Sequence, residues 1–299
     1  MHPAILVVSL WRMRFRLRLG LSLASLTALR PADGRLFDAI YRLAEATEAS
    51  GFDALFVPDH VQQNATGGGR HEPMLEAYTL LGALAARTER LQLGAFVTPV
   101  TFRNPALLAK TITTLDVVSH GRAVLGIGAG WDADEHAGYG FDFPAPLERL
   151  ARLDEALTIC RAMFDEPIAT YAGRYYRTGA AVNAPGPVRQ PPVLVGGGGA
   201  RTLRLAARHA DAINISAHDL GAVPHRIKFL ERACADAGRD PTEITRTAFL
   251  VPHNSAHVEQ VARSLPDLGV DGLILALTSA DAAEIASYGR LLDKLMPGS

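Results

Sequence analysis

The chain has 299 residues and a mass of 32.0 kDa, long enough to bury a sizeable core without disulfide or metal staples. Hydrophobic residues at 48% against charged residues at 20% exclude a disordered chain, and 27 Gly with 18 Pro exclude a collagen-like or low-complexity one. Thirty Lys and Arg against thirty-one Asp and Glu leave a formal net charge of −1, so no chain-wide field attracts nucleic acid or an anionic membrane.

Ala4–Trp11 is apolar but too short to span a bilayer. Arg12, Arg14, Arg16 and Arg18 then alternate with Met13, Phe15, Leu17 and Leu19. Leu19–Leu29 has the apolar character of a signal peptide, yet no small-x-small cleavage site follows Leu29. Phe15–Leu21 is therefore read as the first strand. Met13 is an alternative start, which would leave residues 1–12 as a disordered extension before a single domain over 13–299. A helical period covers Arg35–Ser50, and Gly51 ends it. Ala54–Val57 is a buried strand stopped by Pro58. Pro73–Ala86 is helical and Leu91–Val97 is the third strand. Asn104 caps a helix opened by Pro105 and ending near Ser119.

Ala123–Ile127 is the fourth strand, and Leu147–Phe164 a long helix. Residues 129–146 between them read as a Gly/Asp/Pro loop. Residues 166–192 read as a hairpin carrying Tyr171, Tyr175 and Tyr176, followed by a proline-rich return. The remaining strands are Val193–Val195, Ala212–Ile215, Ile244–Leu250 and Gly272–Leu277. They alternate with helices Arg201–His209, Val223–Ala237, Ala256–Ser264 and Ala282–Leu295. Eight apolar strands, each followed by a helix, predict a (β/α)8 TIM barrel with an insertion between strands 4 and 5. An open, doubly wound sheet is the structural alternative.

In such a barrel the ligand site lies at the C-terminal ends of the strands. Asp59 and His60 put a carboxylate beside an imidazole at one strand end, and histidine exchanges protons near neutral pH. Gly196, Gly197, Gly198 and Gly199 lie between a strand and a helix. Their bare backbone and the helix N-terminus suit a phosphate, with Arg201 as a charged donor. Gly126-Ile127-Gly128-Ala129-Gly130-Trp131 is too irregular for a dinucleotide fingerprint. Its glycines let a flat ligand approach, with Trp131 as a wall or, alternatively, a core plug. Asp132, Asp134, Glu135 and His136 read as a solvated acidic loop, and no metal is expected. Cys160 and Cys234 read as reduced, half-buried thiols. Asn64-Ala65-Thr66 matches a glycosylation sequon by chance, and no G-x-S-x-G nucleophile elbow is present.

Asp59-His60, Thr98-Pro99 with Phe102-Arg103-Asn104-Pro105, Ser119-His120-Gly121-Arg122 leading into Gly126–Trp131, and Gly196–Gly199 occur in that order. Together they resemble the luciferase-like monooxygenase superfamily, and most closely its branch that uses the deazaflavin coenzyme F420. The likeness runs from about Met13 to Leu295. It implies a flat tricyclic cofactor in the barrel mouth, propped by a non-proline cis peptide in the third strand, by position Ala95–Phe96. By the same resemblance Asp59 and His60 match residues near the ring in the branch's sugar-phosphate dehydrogenases. Thr98 matches a cofactor contact and Asp134 a polar one, while Gly198 and Gly199 match the phosphate-binding backbone. Those dehydrogenases carry a catalytic Glu where this chain has Trp131. Tryptophan transfers no proton at neutral pH, which argues against a sugar-phosphate substrate and leaves His60 or Glu135 for that task. The implied activity is hydride transfer between coenzyme F420 and a small organic substrate, by a cytoplasmic homodimer. The alternatives are an FMN-dependent monooxygenase and a non-enzymatic scaffold.

Overall fold

The computed structural model describes residues 15–23, 34–63, 68–277 and 281–296. The proposed start at Met13, the extension over residues 1–12 and the Asn64–Thr66 sequon lie outside them. In chain order the first elements are β1 (Leu19–Ser22), α1 (Leu36–Ala49), β2 (Ala54–Val57), α2 (Ala77–Ala85) and β3 (Gln92–Ala95). A two-residue β4 (Thr98–Pro99), α3 (Pro105–Val118), β5 (Ala123–Gly128), α4 (Ala133–Tyr139) and α5 (Pro146–Asp165) follow. The hairpin is β6 (Ile168–Ala172) and β7 (Arg177–Val182). The chain then runs β8 (Val193–Gly196), α6 (Ala200–His209), β9 (Ala212–Ser216) and α7 (Val223–Asp236). It closes with β10 (Thr245–Leu250), α8 (Ser255–Ser264), β11 (Gly272–Ala276) and α9 (Ala282–Leu295).

Eight of these strands pair in parallel in the order β3-β2-β1-β11-β10-β9-β8-β5. The β3–β5 pairing, with Leu93 opposite Ala123, joins the two ends of that order into a closed barrel. The open sheet is thereby excluded. Most of the strands read as apolar runs because one face meets the helices and the other fills the barrel, while β10 carries Thr245, Arg246 and Thr247 and β9 carries Asn214. Ala54, Phe56, Val124, Leu194, Ala212 and Ile274 fill the inside, while a larger shell that includes Leu55, Val57, Leu93 and Leu125 packs against the helices.

Two glycines let the β3–β5 seam close. A Cβ on Gly126 would stand 1.9 Å from the Ala95 carbonyl oxygen, and one on Gly94 would stand 2.5 Å from that of Val124. Phe15 and Leu17 precede β1 without joining its ladder, so the first strand begins at Leu19 rather than Phe15. Both side chains are buried with the first residues of β2 and β9, closing the barrel's N-terminal end, and the Thr245 hydroxyl donates to the Phe15 carbonyl.

Three further boundaries depart from the sequence reading. α2 starts at Ala77 because the Glu76 carboxylate, not Pro73, caps it, accepting from Thr79 N at 2.7 Å. The third strand breaks after Ala95. Residues 129–146 are not all loop, since α4 lies within them, capped by Asp132 and ended by Gly140 at φ +72°. Cys160 and Cys234 are free, and both are fully buried rather than half-buried. Among the described residues no helix is long and apolar enough to cross a membrane.

Candidate active site

β2 delivers Asp59 and His60 to the mouth once Pro58 ends the strand. The Asp59 carboxylate is 2% exposed and held by Arg103 through both guanidinium nitrogens, one of them at 3.1 Å. Arg103 also donates to Glu76 at 2.6 Å and lies over the Tyr78 ring at 4.6 Å. The Tyr78 hydroxyl hydrogen-bonds Thr98 Oγ1 at 2.6 Å, and Thr98 in turn bonds Asp59. Burial pushes the Asp59 carboxyl pKa up, opposed by the charge and hydrogen bonds of Arg103. Burial works to lower the Arg103 pKa, but Asp59 more than reverses it, and the net shift is upward. The bidentate geometry is that of a guanidinium–carboxylate pair.

His60 is the partly exposed member of the pair. Its Nδ1 lies 2.8 Å from Oε2 of Glu135, itself 1% exposed. The other Glu135 oxygen accepts from Val61 N at 2.6 Å and Gln62 N at 3.2 Å. Burial lowers the His60 pKa, yet the hydrogen bond and charge of Glu135, with Asp132 and Asp59 behind it, raise it overall. Nε2 has no hydrogen-bond partner among the described residues. The helix that the sequence reading missed thus builds the site. Asp132 caps it by accepting from Glu135 N, and Tyr139 on its last turn donates to Val61 O at 2.9 Å. His136 is turned away from the mouth, with its ring nitrogens on Thr101 Oγ1 and Asp132 O and its faces against Phe102, Phe141 and Phe143.

His60, Asp132 and Glu135 each place one ligand atom within 4.8 Å of the others. Those atoms already serve the cap and the His–Glu pair. Asp134 is exposed on the first turn of α4, apart from this group. Trp131 is 63% exposed and meets the His60 ring edge-on at 5.5 Å, so it is not a core plug.

Beneath the mouth lies a non-proline cis peptide between Phe96 and Val97, one residue beyond the expected Ala95–Phe96 position. The shift has a simple cause: Phe96 N still donates to Val57 O at 2.8 Å, so the ladder holds the chain through that amide. Phe96 packs between Phe56 and Phe249, at ring distances of 5.5 and 5.2 Å. Val97 lies under Gly128 and Gly196, where an added Cβ on either would come within 2.9 Å of its Cγ2. Gly130, at φ +78°, takes the backbone on to Trp131.

Gly197 (φ +120°), Gly198 and Gly199 carry the chain from β8 into α6, and Gly199 caps that helix with no side-chain hydrogen bond. Arg201 is exposed there. Arg226, from the first turn of α7, lies against Gly198, and a Cβ on that glycine would stand 3.0 Å from its Cδ. The floor that only glycine leaves open and the uncapped helix end fit a planar ring with an anionic tail. Sequence reasoning did not single out Tyr78, Arg226 or Arg149. Arg149 reaches back from α5 to donate to Ala129 O at 3.1 Å, over the Phe143 ring. Nothing in the local pattern marks these three, because their partners come from other elements.

A family model described as luciferase-like monooxygenase matches residues 18–293. The chain belongs to the luciferase-like monooxygenase family. A relative from Microbacterium testaceum, an F420-dependent glucose-6-phosphate dehydrogenase, is 39% identical over 165 residues, covering 55% of this chain and 48% of its own. This chain thus matches about half the length of that relative. An uncharacterized protein of Mycobacterium tuberculosis is 33% identical over 271 residues, covering 84% of this chain and 92% of its own. Among solved structures, an F420-dependent secondary alcohol dehydrogenase in complex with an F420–acetone adduct superposes with a TM-score of 0.68 at 22% identity, covering 94% of this chain and 84% of that one. That likeness establishes the shared barrel.

Proposed function

We propose that the protein is an oxidoreductase that transfers a hydride between coenzyme F420 and a small organic substrate. The observation that carries this reading is the His60–Glu135 pair at the mouth, in a chain 39% identical over 165 residues to an F420-dependent dehydrogenase. When bound, the deazaflavin supplies two-electron hydride chemistry. Glu135 accepts from His60 Nδ1, which fixes the imidazole orientation and leaves Nε2 to take the proton from a substrate hydroxyl or return it to a carbonyl. Glu135 therefore positions, and His60 moves the proton. Asp59 and Thr98, locked by Arg103 and Tyr78, give the ring a fixed polar edge. Phe96, Val97, Gly128 and Gly130 form its seat, with Ala95 ending the strand beneath. Trp131 walls off water on the substrate side. Gly196–Gly199 and Arg201 receive the phosphate, and Asp134 lies at the rim.

In this reading the enzyme is a cytoplasmic homodimer. Exposed Leu107 and Val118 on α3, and Ile168 opposite Val182 on the hairpin, support a partner copy. Two unpaired cysteines support a reducing compartment.

Anaerobic fluorescence titration tests the cofactor. Saturable binding of coenzyme F420, with FMN bound weakly or not at all, is the expected result. Reduced FMN consuming oxygen with substrate present, and no binding of F420, would reverse the assignment to a monooxygenase.

A further inference from the structure

Around the four glycines the structure gathers three arginines: Arg201 and Arg204 on α6, and Arg226 on α7. They are not equivalent. Arg204 is spent on the Phe229 ring at 5.2 Å, and Arg201 extends into solvent. Arg226 is half-buried, with its Cδ, Nε and Cζ at 3.0, 3.2 and 3.3 Å from where a Gly198 Cβ would stand. A side chain at position 198 would crowd the guanidinium. Among the described residues it forms no hydrogen bond, ion pair or ring contact. A partly desolvated guanidinium without an acceptor is unfavourable, and its planar fork is suited to phosphate.

We propose that Arg226 is a binding residue for the anionic tail of the cofactor, clamping its phosphate against the Gly197–Gly199 backbone from the α7 side. This rests on the coenzyme F420 reading above and extends it to a residue from a different βα unit. α6 supplies backbone amides and the positive end of its dipole, which hold an anion without choosing its orientation. Arg226 adds directional, charge-assisted hydrogen bonds and ties the tail to α7. The clamp should therefore act on the tail and leave the ring untouched.

The test is a fluorescence titration of wild type, R226K and R226Q with two ligands: coenzyme F420 and the same deazaflavin chromophore lacking phosphate. Melting temperatures of the three proteins serve as the check on folding. R226Q is expected to bind F420 about tenfold or more weakly, with a reduced dependence on salt, while R226K recovers part of the loss. Wild type and R226Q are expected to bind the phosphate-free chromophore alike. Equal affinity of wild type and R226Q for F420 would overturn the clamp and leave the cofactor assignment standing. Equal weakening toward both ligands would also overturn it, by placing the effect at the ring or in the fold. If wild type binds neither ligand, the cofactor assignment itself fails and the clamp fails with it.

Discussion

At the scale of single residues, the mouth depends on two buried carboxylates with opposite duties. Glu135 raises the His60 pKa through its hydrogen bond and charge, against the lowering effect of burial. Replacing it in Glu135→Gln keeps the shape and removes the charge, so the His60 pKa should fall. An imidazole NMR titration of the cofactor-free protein reads this directly, and an unchanged or higher pKa would contradict the pairing. The sign of the stability effect follows from the same shift. Protonated His60 is favoured in the folded state. Its contribution is therefore complete below the unfolded value of about 6.5 and is lost as pH rises through the higher folded value. The melting-temperature gap between wild type and His60→Asn should narrow over that window. Asp59 is different, because it is locked rather than titrating in service. Arg103→Ala strands a buried carboxylate and should cost about 3–5 kcal/mol in urea unfolding. A loss below about 1 kcal/mol would mean that water replaces the guanidinium.

Among elements, strand and helix identities were legible because apolar period and punctuation agreed. β2 and α9 fall where the sequence places them, and Asn104-Pro105 opens α3 as expected, with Asn104 Oδ1 accepting from Ala106 N at 2.9 Å. α4 was not legible, since seven residues carry no apolar period. Its signals were Asp132 as N-cap and Gly140 beyond its end, and both resemble loop residues. With it the pairing of two named candidates, His60 and Glu135, stayed hidden. Asp59 and His60 were visible at a strand end, but the bond from His60 to Glu135 spans 75 residues and exists only once α4 folds over β2. Arg226 escaped for the same reason, being a surface-patterned helix residue until β8 and β9 become neighbours. Glycines give the clearest test at this scale. Gly126→Ala drives a Cβ into the Ala95 carbonyl at the seam and should cost about 3 kcal/mol or more. Gly82→Ala, inside α2 with nothing within 4 Å, should stabilise by about 0.5–1 kcal/mol. Urea midpoints of the two variants should therefore move in opposite directions, and a shared direction would refute the register at β3–β5.

For the whole molecule, the barrel divides labour along its axis. In enzymes built on this barrel the C-terminal strand ends carry the chemistry, and here the N-terminal ends close the core. Phe15 makes that division measurable, because it is 3% exposed, lies outside any strand and packs beneath β2 and β9. Phe15→Ala removes a buried ring, with an expected loss of about 3–4 kcal/mol. The urea midpoint should drop with the slope unchanged, since the whole barrel still unfolds as one unit. Cofactor affinity at the far end should stay as in wild type. His60→Asn should show the reverse pattern once pH exceeds the range in which His60 titrates: a urea midpoint near wild type and turnover reduced about a hundredfold or more. Measured together, the two variants form a cross. Weaker cofactor binding in Phe15→Ala would show that the floor at Phe96 and Val97 is held up from below, through Phe56 and Phe249, and that the two ends of the barrel are mechanically one.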